Sequence, residues 1–404
     1  MADAGPGPRG CAAMAGAEAG PVAAARRLIP LLEAEGPKIE RLRELTPAVL
    51  EALYAADFFR LLTPREIGGA ALPLPDFALV TEALAEGDAS AAWIICQSNV
   101  SAMSSATALA PEVARGFFGD RRSGLAWGAR NGTARAVAVA GGYRVTGAWD
   151  FGSGSRHTPL LGAHVAVFLP DGTPRLRPDG SRDDRTVLFP HSAARIIDDW
   201  QSIGLRGTGS DSYGVEDLFI PEAHACMRDR PEARRQHGTL SLFASNLCYA
   251  SGFCGVSLGV ARGLLDRLMA LARGKTARAG TQAMCDDHAV QLQVAGLEAR
   301  WRAARHYLHG TLRETWAAAE ATGALTLDQR MALRLATTHA IGEATEVSVA
   351  CYRAAGTTAV LAGNPFERRF RDAMSVSQHL QGTPWHMEMV GRHLLGVPNA
   401  VQFV

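Results

Sequence analysis

Arg368-Arg369-Phe370-Arg371-Asp372, followed closely by Ser377-Gln378-His379-Leu380-Gln381-Gly382-Thr383, is the stretch on which the reading of this chain turns. A charge cluster this dense stands out where only 20% of residues are charged. The run reads as helix. Asp372, Ser375 or Val376, and His379 then fall at i, i+3/i+4 and i+7, on one helix face. A histidine on a charged, anchored face is a candidate for proton chemistry near neutral pH. His379 and Gln381 would stand about 200° apart on a continuous helix. Gly382-Thr383-Pro384 predicts that the helix ends close by.

Around this stretch lies a chain of 404 residues, long enough for two or three domains. It is 47% hydrophobic, with 41 basic and 40 acidic residues and a net charge of +1. That balance gives no electrostatic reason to expect nucleic acid or an anionic membrane as partner. The seven cysteines are scattered, without CxxC or Cys/His zinc spacing, and read as reduced thiols of a cytoplasmic protein. Residues 1–20, rich in Ala, Gly and Pro, read as a disordered tail with no signal-peptide pattern, and Met14 is an alternative start. Gly238 to Ala261 carries no charged residue but is broken by serines, Asn246 and glycines. It is expected to be a helix buried on all sides, not a membrane span.

Three zones follow. In 21–120, Leu28, Leu31, Leu32 and then Leu42, Leu45, Val49, Leu53 recur at helical spacing. In 121–235 the pattern shortens: Val137 and Val139 alternate with Tyr143 and Val145 around Gly141-Gly142, a hairpin signal. Residues 164–168, 186–189 and 215–220 read as further short antiparallel strands. In 236–404 long helices return, one with Leu264, Leu265, Leu268 on its apolar face, then roughly Ala289 to Ala318 and Leu327 to Ala354, then the opening stretch. Four long helices predict a bundle.

The middle zone holds two Gly/Ser-rich segments, Gly147 to His157 and Gly204 to Ser212. Neither has P-loop or GxGxxG spacing, and there is no nicotinamide fingerprint. A tight turn is the bland reading of each; close backbone approach to a flat ligand is the functional one. The histidines form no HxxxH or HExxH pattern, and no GxSxG is present, so neither a metal enzyme nor a serine hydrolase is expected.

Five motifs in order resemble the acyl-CoA dehydrogenase superfamily, and within it the two-component (group D) flavin monooxygenases. They are Phe58 to Pro64 with Gly68-Gly69, Ser90-Ala91-Ala92-Trp93, Gly141 to Gly147 with Phe151 to Gly154, Gly204 to Ser210 with Phe219-Ile220-Pro221, and Arg369 to Asp372 with His379. The resemblance covers nearly all of 25–404. It implies an α+β fold: an N-terminal helical domain (21–120), a central antiparallel β-barrel domain (121–235) and a C-terminal four-helix bundle (236–404), assembled as a homotetramer.

The same resemblance implies reduced FMN or FAD as cofactor, O2 as co-substrate and a separate NAD(P)H flavin reductase as partner. Oxygen would pass from a flavin C4a-hydroperoxide to an aromatic, polyketide-like or amine substrate. Trp127, Asn131 and Thr133 would line the isoalloxazine. Ser153 would hold the N5 proton, with Ser155 beside it. Arg278 would bind flavin phosphate across subunits, with Gly356 and Thr357 also placed at the cofactor. Trp93, Asn99, His157 and Gln381 would contact substrate, and His379 would be the catalytic base. Dehydrogenases of the superfamily need a carboxylate base, often a Glu before Gly-Thr. Here that residue is Gln381, which cannot accept the proton. No Asp or Glu lies between Gly238 and Leu265 either. A flavin-dependent desaturase or oxidase acting on a non-CoA substrate is the alternative. Aromatic hydroxylases of this branch often carry a second histidine after the Ser-Ala-Ala-Trp motif. Gln97 to Ser101 has none.

Overall fold

A computed structural model describes residues 20–398 except 131, 133, 229 and 277–281. Asn131, Thr133, Arg278 and all but the last residue of the expected tail therefore lie outside the described residues. Five helices come first: α1 (Pro21–Leu42), α2 (Pro47–Ala55), α3 (Leu74–Gly87), α4 (Ala89–Ala106) and α5 (Pro111–Phe118). Asp88 separates α3 from α4 and caps the latter, its carboxylate accepting from Ala91 N–H at 3.0 Å. Every residue of α4 is buried.

Nine strands follow: β1 (Leu125–Trp127), β2 (Ala129–Arg130), β3 (Arg135–Val139), β4 (Gly142–Asp150), β5 (Leu160–Phe168), β6 (Asp184–Pro190), β7 (Arg195–Ile197), β8 (Ser212–Pro221) and β9 (Ala225–Cys226). They form one sheet in the order β7-β8-β4-β3-β5-β6-β9, with β1 added beside β5 and β2 beside β4. The hairpin expected at Gly141-Gly142 is β3–β4, paired from Arg135↔Thr146 to Val139↔Gly142. Two expectations are corrected. The sheet is not a closed barrel, and it is not wholly antiparallel, because β5 pairs in parallel with both β1 and β3. The physical reason is that β4 and β5 are not joined as a hairpin: residues 151–159 loop out between them and return the chain to the other side of β3. The sheet has its own apolar core around Tyr143, Trp149, Leu161, Val165 and Tyr213.

The chain then returns to helix: α6 (Ser245–Gly274), α7 (His288–Thr322), α8 (Leu327–Ala355), α9 (Pro365–Ser377) and α10 (Trp385–Leu394). Asp287 caps α7, and Thr326 with Gln329 makes a reciprocal capping box on α8. By length and apolar composition α6 passes for a membrane span, yet its most apolar window is entirely buried in protein. It packs on α3, α4, α7, α8 and α9. One hydrophobic core therefore joins the first helices to the last, including Leu32, Phe77, Trp93, Phe253, Leu264, Leu308 and Val376. None of the described cysteines is in a disulfide.

The opening stretch becomes α9 and the turn after it. Asn364 caps α9 through Phe366 N–H at 3.0 Å, with Pro365 in its first turn. The helix ends at Ser377, so His379 is not on its face as the spacing predicts. His379 instead has extended backbone (φ −69°, ψ 152°) and starts a short 3-10 turn over Leu380–Gly382.

Candidate active site

Each charge of the opening stretch is spent on placing that turn. Arg368 pairs with Asp88 at 2.7 Å, both side chains almost wholly buried. Arg369, 2% exposed, donates to the carbonyls of Ala85, Glu86 and Gly87 at the end of α3. Arg371 reaches Glu40 of α1 at 2.7 Å and the carbonyl of Ile203. Asp372 accepts from Leu205 N–H at 2.7 Å, and burial pushes its carboxyl up to about 7, with Arg368 pulling the other way. Gly204 is required here: a Cβ on it would lie 2.2 Å from the carbonyl oxygen of Arg371. The loop from the sheet thus rests directly on the α9 backbone.

Between this loop, the end of α9, α4, the start of α6 and the sheet lies a cleft of about 740 Å³. Its lining includes Trp93, Trp127, Ser153, Arg228, Asn246, Tyr249, His379 and Gln381. Phe151, Trp200, Ile203 and Leu380 also line it, and all but Trp200 are exposed apolar side chains. Among the described lining residues there is no Asp or Glu, and Arg228 is the one with a permanent charge.

One wall is aromatic. Trp93 stacks on Phe253 with centroids 3.8 Å apart, and the His379 ring meets both edge-on at 5.1 and 4.7 Å. Trp93 Nε1 donates to Ser153 Oγ at 3.1 Å. The sheet side carries Trp127, with His164 edge-on to it and the Arg228 guanidinium over its ring. Tyr213, fully buried, donates to Gly162 O and accepts from Gly128 N–H at 3.0 Å, which holds Trp127-Gly128 against β5. A Cβ on Gly128 would lie 2.0 Å from Asp150 O, so only glycine fits at this close approach to β4.

His379 borders the cleft but is hemmed in by rings, and burial holds its imidazole down at about 4. It is neutral at pH 7. Its Nδ1 accepts from Gln381 N–H at 3.3 Å, so the hydrogen of the neutral ring sits on Nε2. In this arrangement His379 is a donor. A base at Nε2 would need the other tautomer, whose Nδ1–H would point at a second N–H. Gln381 is buried between two partners: its Oε1 accepts from Arg334 Nη1 at 2.6 Å, and its Nε2 donates to Asn246 Oδ1 at 3.0 Å. With its oxygen engaged, Asn246 presents its NH2 group as donor. Arg334 is fully buried, and burial lowers it to about 10.

The cleft therefore brings together Trp93, Trp127, Ser153, His379 and Gln381 from the expected set. Other expectations are corrected. Asn99, fully buried, clamps the backbone: it accepts from Leu62 N–H and donates to Phe58 O and Ile95 O. His157 Nε2 accepts from Leu45 N–H at 3.0 Å, outside the cleft lining, and burial lowers it to about 4. Ser155, fully buried, donates to Gly209 O at 3.0 Å and braces the two Gly/Ser loops. Each of these is a polar residue spent on closing a backbone group.

Gly356 and Thr357 follow α8, next to Ala355, whose carbonyl accepts from Lys275 Nζ at 3.2 Å. Lys275 ends the helix whose second residue is Asn246, so they stand roughly 40 Å along α6 from the cleft. Sequence reasoning missed His164, Trp200, Arg228, Asn246 and Tyr249. Asn246, the one carboxamide in an uncharged run, was the one legible signal.

Aromatic rings on the helix and sheet sides with a few polar groups among them fit a tricyclic ring system such as isoalloxazine beside a small aromatic molecule. Among the described residues no three His, Cys, Asp or Glu side chains gather as a metal site.

Residues 251–384 match the family described as Acyl-CoA dehydrogenase, C-terminal domain. Indole-3-acetate monooxygenase of Pseudomonas putida is 30% identical over 350 residues, 85% of either chain. The flavin-dependent monooxygenase oxygenase subunit HsaA of Rhodococcus jostii is 28% identical over 371 residues, 88% of this chain and 93% of that one. Among solved structures, XiaF from Streptomyces sp., in complex with FADH2 and glycerol, superposes with a TM-score of 0.85. It is 21% identical, covering 95% of this chain and 96% of that one.

Proposed function

The chain belongs to the two-component flavin-dependent monooxygenases of the acyl-CoA dehydrogenase superfamily, as an oxygenase component using reduced flavin supplied by a separate reductase, and on that premise we propose that it oxygenates a planar aromatic or heteroaromatic acid in the cleft beside His379. The observation that carries the reading is the composition of the cleft. It has stacked rings, no carboxylate among its described lining residues, and donors at one end.

When bound, reduced flavin supplies the two electrons that activate O2, so that one oxygen atom enters the product and the other leaves as water. The protein's part is positioning. Trp93 and Phe253 offer a stacking face to the substrate ring. His379 donates its Nε2–H to an oxygen at the reacting edge, in place of the base expected from sequence. Arg228 and the NH2 group of Asn246, backed through Gln381 by the buried Arg334, hold a carboxylate. Ser153 meets the N–H edge of the reduced flavin. Phe151, Ile203 and Leu380 keep water from the reacting atoms once the cleft is filled. Indole-3-acetate, the substrate named for the Pseudomonas relative, has this chemistry.

In the same reading 21–120 and 236–404 frame the cleft from the helical side and 121–235 from the sheet side. Gly356 and Thr357 serve a neighbouring copy, since the end of α6 is too far from Ser153 to share one flavin. A homotetramer is the expected assembly. The lack of a carboxylate among the described lining residues argues against the desaturase alternative, which needs a group to take an α-proton.

The test is isotopic. With a flavin reductase, NADH, FMN and 18O2, indole-3-acetate is expected to gain one 18O atom, read by mass spectrometry. Product whose new oxygen comes from water, or turnover without O2 on an artificial electron acceptor, would overturn the reading.

A further inference from the structure

We infer that Gln97 is fixed as a hydrogen-bond acceptor facing the cleft, and that it selects an aromatic acid whose ring carries a hydrogen-bond donor, an indole-type N–H. The inference rests on the aromatic-acid reading above and narrows its substrate class.

Gln97 stands one turn after Trp93 on α4, and Tyr249 stands one turn before Phe253 on α6. The Tyr249 ring continues the aromatic stack, 5.7 Å from Phe253 at an interplanar angle of 13°. Gln97 and Tyr249 both line the cleft, beside the rings offered to the substrate. Ser101, a further turn along α4, is fully buried and is not part of the cleft lining.

The sense of the Gln97 amide follows from counting hydrogens. Ser101 Oγ lies 2.7 Å from Gln97 O. A carbonyl can only accept, so Ser101 gives its hydrogen there. Tyr249 OH is 2.8 Å from Ser101 Oγ, and with Ser101's hydrogen spent, Tyr249 is the donor. Two hydroxyl oxygens with their hydrogens already given then face the Gln97 side chain, Ser101 at 3.3 Å and Tyr249 at 3.4 Å. Only the NH2 end of the amide can meet them. Turning the amide over would set its oxygen against lone pairs inside protein. Oε1 is neither sealed in protein nor hydrogen-bonded among the described residues, so it opens on the cleft that Gln97 lines.

The other polar groups given a role towards the substrate are donors: His379 through Nε2–H, the NH2 group of Asn246, and Arg228. Gln97 adds an acceptor of fixed sense. It comes from the segment Gln97 to Ser101, where the sequence holds no histidine. A ligand that satisfies both kinds of group carries a carboxylate and a ring hydrogen. An indole ring has that hydrogen. A benzofuran ring has the same shape but puts a lone pair where the hydrogen is needed, and a site built to accept a hydrogen bond rejects an analogue that cannot give one. Ser101 never touches the ligand and acts as a positioning residue through Gln97.

The test reads binding of two isosteric acids. Protein loaded with dithionite-reduced FMN is dialysed to equilibrium, anaerobically, against indole-3-acetate or benzofuran-3-acetate. Wild type should bind the indole acid at least about tenfold more tightly. Gln97→Leu keeps the bulk and removes the acceptor, so the ratio of the two Kd values should fall to about one. Ser101→Ala releases the Tyr249 hydrogen, which lets the amide turn over and present its NH2 group to the cleft. Its ratio should fall as well, although the change is made outside the cleft lining. Equal binding of the two acids by wild type, or an unchanged ratio in either variant, would overturn the inference and leave the aromatic-acid reading standing. Failure of wild type to bind both acids would remove that reading and the inference with it.

Discussion

Asp88→Ala should be among the most damaging single substitutions outside the cleft. Asp88 does two things at once: it caps α4 through Ala91 N–H at 3.0 Å, and it neutralises Arg368 of α9 at 2.7 Å. Loss of a cap costs about 1 kcal/mol. Removing one member of a buried ion pair costs about 3–5 kcal/mol, because the other charge is stranded. Arg368 keeps Asp372 and Glu40 as more distant anions, which favours the lower end. The sum is about 4 kcal/mol. Asp88→Asn keeps a capping oxygen and loses only the charge, so it should cost about 3 kcal/mol. In equilibrium urea unfolding followed by circular dichroism, Asp88→Ala should be much worse than surface changes. The double variant Asp88→Ala/Arg368→Met should be little worse than Asp88→Ala, since the Arg368 charge is no longer stranded. If the single costs add to the double within about 0.5 kcal/mol, the two residues are uncoupled and the ion-pair argument fails.

Three further outcomes follow from the site. His379→Ala should leave reduced-FMN binding near wild type while product formation falls by about 10²-fold or more, and unchanged turnover would remove His379 from the chemistry. Arg228→Met should raise KM for indole-3-acetate by about tenfold with little effect on indole, and equal effects on both would deny the carboxylate contact. His157 is held at about 4, below the ordinary 6.5, so its unfolded form takes up the proton first. Its contribution is present above pH 6.5 and is lost as pH falls from about 6.5 to about 4. His157→Gln keeps an acceptor for Leu45 N–H without titrating, so its Tm should fall less steeply than wild type across that window. Parallel Tm curves would contradict this.

What the sequence determined by itself was periodic or covalent. Helical spacing in 21–120 and 236–404 marked long helices with boundaries close to the observed ones, because an apolar stripe must repeat every three or four residues to be buried. Gly141-Gly142 marked the β3–β4 hairpin, because that turn needs a residue with positive φ. Gln381 in place of a carboxylate argued against thioester dehydrogenation from side-chain chemistry alone.

What only the tertiary structure decided was partnership. His379 and Asp372 looked like one helix face, but α9 stops at Ser377, and His379 serves the turn beyond it. Asn99, His157 and Ser155 carried polar groups that suited a ligand, and the fold spends each on a backbone atom far away in sequence. Ser153 finds its hydroxyl partner in Ser210, 57 residues on. Such roles cannot be read along the chain, because a hydroxyl, an amide or an imidazole either gives or takes according to its neighbour, and the neighbour is chosen by packing.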